Sequence, residues 1–160
     1  MSAHEPERPL PHDPDLEVDE GPLGEPRAAH LTPHLVALVL LGGAAGTALR
    51  DAIERASGGS DGFPWATFGI NVSGALVLAM LVEALALRGS DVGRRRRWRL
   101  LLGTGFLGGY TTYSTFGVET DTLLRDGRPG LAMTYALATV LAGLVVSVLG
   151  IKVARTELLR

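Results

Sequence analysis

Four apolar runs, each about 20 residues long, dictate what this chain can become. They lie at roughly 34–53, 65–87, 98–124 and 131–153 of its 160 residues. A helix of that length, at 1.5 Å per residue, matches a hydrocarbon core about 30 Å thick. The pattern predicts an all-α membrane protein with four transmembrane helices. Lipid offers the backbone no hydrogen bonds, so a spanning segment must satisfy its own polar groups.

The third run strains that rule. Gly103 to Glu119 reads GTGFLGGYTTYSTFGVE. Glycines at 103, 105, 108 and 109 precede hydroxyls at Thr111, Thr112, Ser114 and Thr115, with Tyr113 and Phe116 among them. One reading is a helix broken mid-membrane that lines a polar path, since irregular backbone survives in lipid only where a cavity or protein faces it. The other is a glycine-rich helix packed tightly on its neighbours, its hydroxyls bonded back to its own carbonyls.

Polar residues in the other runs are few. Gly42 and Gly46 sit four apart in the first run, as do Gly43 and Thr47, a spacing that lets helices approach closely. Arg50 follows one turn later, either snorkelling to the headgroups or serving a helix end or vestibule. In the second run Pro64 stands where a helix can begin, and Asn71 must find a partner helix or water. Glu83 lies near that run's far end. Tyr135 and Thr139 share one face of the fourth run. Apart from Arg50 and the two glutamates, Glu83 and Glu119, no ionisable group is embedded, which argues against a proton-driven pump.

The flanks carry the charge. Residues 1–30 hold six prolines and eight acids and read as a disordered acidic tail. Residues 31–155 form the four-helix domain, and 156–160 a short C-terminal tail. The loop from Arg88 to Arg99 has six arginines against Asp91. Its basic character needs no nucleic acid, because positive loops favour the cytoplasmic side. Eleven of the fifteen basic residues (Arg8, Arg27, Arg88, Arg94 to Arg97, Arg99, Lys152, Arg155, Arg160) fall on the side of both termini. Both termini are therefore expected in the cytoplasm, in a multi-pass protein of the cell membrane. There is no cysteine, and all four histidines lie at or before the first run. No nucleophile, base or metal cluster suggests an enzyme.

Three motifs resemble those of the Fluc/CrcB fluoride channels. They are GGAAGTALR (Gly42 to Arg50), TFGINVSG (Thr67 to Gly74) and GFLGGYTTYSTFGVE (Gly105 to Glu119). The resemblance covers 34–153 and implies an antiparallel, dual-topology dimer with two pores, through which F− leaves the cytoplasm and fluoride toxicity falls. It implies a structural Na⁺ at the dimer centre, held by the backbone carbonyls of Gly108 and Thr111. By the same matching, Asn71 would donate to fluoride, and Tyr113 and Phe116 would form an aromatic box. Ser114, Thr115 and Thr139 would line a polar track, Glu119 a pore end, and Tyr135 would stand near the box. Tyr113 departs from the family's phenylalanine. The charge bias suggests a subunit fixed in orientation, paired with a paralogue of opposite bias. Two other functions are weighed. A small four-helix drug or cation transporter would need an acid between Leu35 and Arg50, where none lies. A non-conducting assembly subunit would show ordinary glycine packing in the third run.

Overall fold

Prolines mark where three of the long helices begin. In the computed structural model, which describes residues 18–20, 26–28, 32–58 and 62–158, α1 spans Pro33–Ala56. Pro64 immediately precedes α2, Trp65–Ala86. The last helix, which is α6, opens on Pro129 and runs to Leu158, five residues past the end expected for the fourth apolar run. Proline suits a first helical position because its missing N–H has no intrahelical partner there. At 1.5 Å per residue these helices of 24, 22 and 30 residues extend about 36, 33 and 45 Å. All three are long and apolar enough to cross a membrane.

The third run folds as a composite. A short α3 (Arg94–Trp98) leads into a π-helical segment, Arg99–Leu107, and a final turn, α4 (Gly108–Tyr110). The backbone then leaves the helical region at Thr111 (φ −76°, ψ 157°). Helix resumes as α5, Ser114–Arg125. No single helix here is long enough to count as a span, so the continuous apolar run is not matched by a continuous helix.

Two short strands, β1 (Val18–Glu20) and β2 (Pro26–Ala28), pair antiparallel with Val18 opposite Ala28. The rest of the expected tail over 1–30 lies outside the described residues. The chain divides into two units, Met1–Val36 and Ala37–Arg160. The second unit carries everything below.

Within it, two helix pairs run parallel. The glycines of α1 meet the π-helical segment backbone to backbone: a Cβ on Gly42 would strike the Leu101 carbonyl, and one on Gly46 the Phe106 carbonyl. Likewise α2 and α6 keep register from Thr67 beside Tyr135, through Leu76 against Gly150, to Glu83, which pairs with Arg155 at 2.7 Å. Few side chains are buried inside. Only 6–11% of the residues in the three spans' apolar windows are buried. Met133, Leu137, Leu141 and Leu144 are exposed along α6, as expected of a surface that meets lipid.

The turn between α5 and α6 shows how local chemistry ends a helix. Gly127 adopts φ 71°, its N–H donates to the Leu124 carbonyl at 3.1 Å, and the Arg128 N–H donates to that of Leu123 at 2.9 Å. This is a Schellman ending, which relies on a left-handed residue that glycine adopts without penalty. Gly127→Ala is expected to lower stability by about 1 kcal/mol in a denaturation series, since an L side chain disfavours that conformation.

Candidate functional site

The interruption after Tyr110 leaves carbonyls and N–H groups that the next helical turn would have used. The structure answers them with side chains from two neighbouring helices. The Asn71 Nδ2 donates to the Thr112 carbonyl at 2.9 Å, and its Oδ1 accepts the Thr112 N–H at 2.9 Å. From α1, Thr47 donates to the Gly109 carbonyl at 3.4 Å and Arg50 Nη1 reaches the Thr111 carbonyl at 3.5 Å. Arg50 therefore reaches the backbone just past the end of α4.

Thr112 is buried and lies two residues before α5. Its Oγ1 accepts the Thr115 N–H at 3.1 Å, the work of a capping hydroxyl. The same oxygen lies 3.2 Å from Ser114 Oγ and donates to Thr115 Oγ1 at 3.1 Å. Three hydroxyls are thus chained across the break and into the first turn of α5.

One turn further along α5, Glu119 is gripped from two sides. Thr67 donates to its Oε1 at 2.8 Å and Tyr135 to its Oε2 at 2.7 Å. Both donors are fully buried. The Tyr135 ring packs edge-on to Phe63 (5.3 Å, 86°) and tilted to Phe116 (5.1 Å). Phe116 in turn lies 6.1 Å from Tyr113, which is 84% exposed. A cavity of about 540 Å³, lined in part by Glu54, Thr67, Tyr110, Thr115 and Glu119, opens beside this cluster.

A hydrogen bond from a hydroxyl to a carboxylate contributes about 1.5–3 kcal/mol. Tyr135→Phe is expected to lose about that much in thermal or denaturant unfolding, and Thr67→Val a similar amount. The two losses should not add, because each variant leaves Glu119 short of one donor.

Of the residues singled out in sequence, the structure brings Asn71, Arg50, Thr111, Ser114 and Thr115 to the break, and Tyr113, Phe116, Tyr135 and Glu119 to one chain of contacts. Gly108 sits exposed in the turn before the break. Thr139 is not drawn in: its hydroxyl donates to the Tyr135 carbonyl of its own helix at 2.8 Å. Sequence reasoning missed Thr67, the capping role of Thr112, and Glu54. The signal for Thr67 was its place one turn before Asn71, and for Glu54 its place one turn after Arg50.

Three apolar spans, and side chains from neighbouring helices bonded to the backbone between α4 and α5, define a small helical membrane protein. The chain belongs to the family of CrcB-like (Camphor Resistance) proteins, whose sequence profile matches residues 37–151. It is 48% identical over 122 residues to Fluoride-specific ion channel FluC 2 of Leifsonia xyli, covering 76% of this chain and 84% of the relative. It is 47% identical over 112 residues to Fluoride-specific ion channel FluC 1 of Cutibacterium acnes, covering 69% of this chain and 78% of that protein. A third, Fluoride-specific ion channel FluC 2 of Nitrobacter hamburgensis, is 42% identical over 110 residues, covering 68% and 86%. These relatives are channels, not enzymes.

Proposed function

We propose that this chain is a subunit of a fluoride channel that lets F− leave the cytoplasm down its electrochemical gradient, reducing fluoride toxicity. The observation that carries the reading is the bracing of the break by Asn71. Its amide uses one N–H on the Thr112 carbonyl. An amide nitrogen has two, so the second remains to donate to a passing anion. Ser114 and Thr115 extend the donors, and the edges of Tyr113 and Phe116 carry partial positive charge. Such groups replace hydration without holding the ion as a fixed ammonium would, which conduction requires.

A ring as exposed as Tyr113 at the break asks for a covering surface. In this reading the cover is a second subunit in antiparallel orientation, which completes an aromatic box and a polar track that one chain leaves open. The third helix then crosses the membrane as two half-helices. The carbonyls of Gly108 and Thr111 flank the interruption and lack the partners of an unbroken helix, and such oxygens suit a hard cation, although Thr111 also takes the long 3.5 Å contact from Arg50. Two such chains would hold a structural, untransported Na⁺ between them. The Glu119 carboxylate would stand at a pore end, its charge engaged by Thr67 and Tyr135. The excess of basic residues on the side that holds both termini and the 88–99 loop favours a cytoplasmic location for the termini in the cell membrane, and pairing with a paralogue of opposite bias.

Expression in a bacterium lacking its own fluoride exporter tests this. The chain, alone or with its paralogue, is expected to restore growth in fluoride medium. Failure of both, with the protein present in the membrane, contradicts the proposal. Cysteine-accessibility labelling of loops 56–62 and 88–99 tests the orientation, and equal labelling of each loop from both sides would rule out a fixed one.

A further inference from the structure

The arginines of the 88–99 loop are not equivalent. Arg88 donates to the Ala84 carbonyl at 3.4 Å. Arg95 closes the loop on itself, donating to the carbonyls of Ser90 and Arg88, both at 2.8 Å. Arg99 pairs with Asp91 at 2.8 Å, and Arg96 is buried. Arg94 and Arg97 differ. They are exposed, three apart in α3 and so on one face. Neither has an acidic partner among the described residues. Together with Leu38, Trp98 and Leu101 they line a cavity of about 270 Å³.

We propose that this cavity binds an anionic phospholipid, its phosphate held between Arg94 and Arg97 and its acyl chain laid over Leu38, Trp98 and Leu101. Charge complementarity selects the headgroup. The planar guanidinium fork matches phosphate oxygens in pairs, and two forks on one face can share one phosphate. The floor selects a lipid over free phosphate. Leu38 and Leu101 belong to apolar runs that enter the bilayer, and an inorganic ion gains nothing from them. Trp98, 48% exposed, sits where an indole favours the boundary between headgroup and hydrocarbon. The inference rests on membrane insertion and is independent of which ion the protein conducts.

The test uses the full chain in mild detergent, titrated with dioctanoyl phosphatidylglycerol, dioctanoyl phosphatidylcholine or inorganic phosphate, with bound lipid counted by native mass spectrometry. Phosphatidylglycerol is expected to bind about one per subunit and phosphatidylcholine far more weakly. R94Q/R97Q should weaken phosphatidylglycerol binding roughly 30-fold, from about fivefold per arginine near an anionic headgroup. If that variant does not fold, L38W, which keeps both charges and fills the cavity, should weaken binding too. R125Q, an exposed arginine of α5, should change nothing. Equal binding of the two lipids, undiminished binding in the folded variants, or an equal loss in R125Q would overturn the site. Displacement of phosphatidylglycerol by equimolar inorganic phosphate would overturn the lipid assignment. Fluoride flux, measured separately, distinguishes failure here from failure of the channel reading.

Discussion

Gly46→Leu is expected to leave little or no folded protein. A Cβ on Gly46 would collide with the Phe106 carbonyl and come within 2.8 Å of the Tyr110 backbone nitrogen. Both are main-chain atoms of the segment that leads into the break, so no side chain can swing aside. Gly42, Gly105 and Gly109 meet opposing backbone in the same way. Overpacking in a core costs about 1–3 kcal/mol when side chains can adjust. Here two helices must separate along a seam, and the loss should exceed about 4 kcal/mol. Gly143→Leu is the control, because nothing lies within 4 Å of the position a Cβ would take there. The yield of monodisperse protein on size exclusion separates the two. A normal yield for Gly46→Leu would mean that the seam is not the contact described.

Asn71→Ala is expected to damage both stability and conduction. The substitution removes the donor and the acceptor that satisfy the Thr112 backbone, at 2.9 Å each. Leaving two buried backbone groups unpaired costs roughly 2–5 kcal/mol. In the channel reading it also removes the N–H offered to the anion. A loss of about 2.7 kcal/mol at the barrier slows flux about a hundredfold. Asn71→Asp should be worse for flux, because it keeps an acceptor, loses both donors and adds a negative charge at an anion's path. Thermal unfolding and fluoride efflux read the two effects separately. An Asn71→Ala protein that unfolds at the wild-type temperature and conducts at the wild-type rate would contradict both.

Much of this arrangement was legible in the residues. An amide in an apolar run must be bonded, so Asn71 announced a partner, and four hydroxyls behind paired glycines announced an unusual backbone. The partner itself was not legible, because a sequence carries no sign that Asn71 faces Thr112 rather than water. Gly42 and Gly46 signalled a close helix contact through their spacing alone, and their partner is the π-helical segment of the third run. The wider winding of Arg99–Leu107 had no sequence signature, since an apolar, glycine-bearing run is compatible with either register. No spacing in the sequence links Tyr135 to Glu119. Their union depends on α2 and α6 running side by side in parallel, which brings Thr67 and Tyr135 to opposite oxygens of one carboxylate. Thr139 shows the opposite case: it shares a face with Tyr135 but spends its hydroxyl on its own helix. The exposure of Tyr113 was not legible either, since an aromatic ring among hydroxyls is compatible with a packed or an open position.

Fluoride efflux from liposomes, followed with a fluoride electrode while valinomycin and K⁺ clamp the charge, tests the central claim most directly. The chain, alone or with its paralogue, is expected to release fluoride and retain chloride. Release by the chain alone would show that Tyr113 does not prevent conduction and that no paralogue is required. Release only with the paralogue would establish a paired channel. Well-folded protein that releases no fluoride in either setting, or that releases chloride equally, would contradict the account.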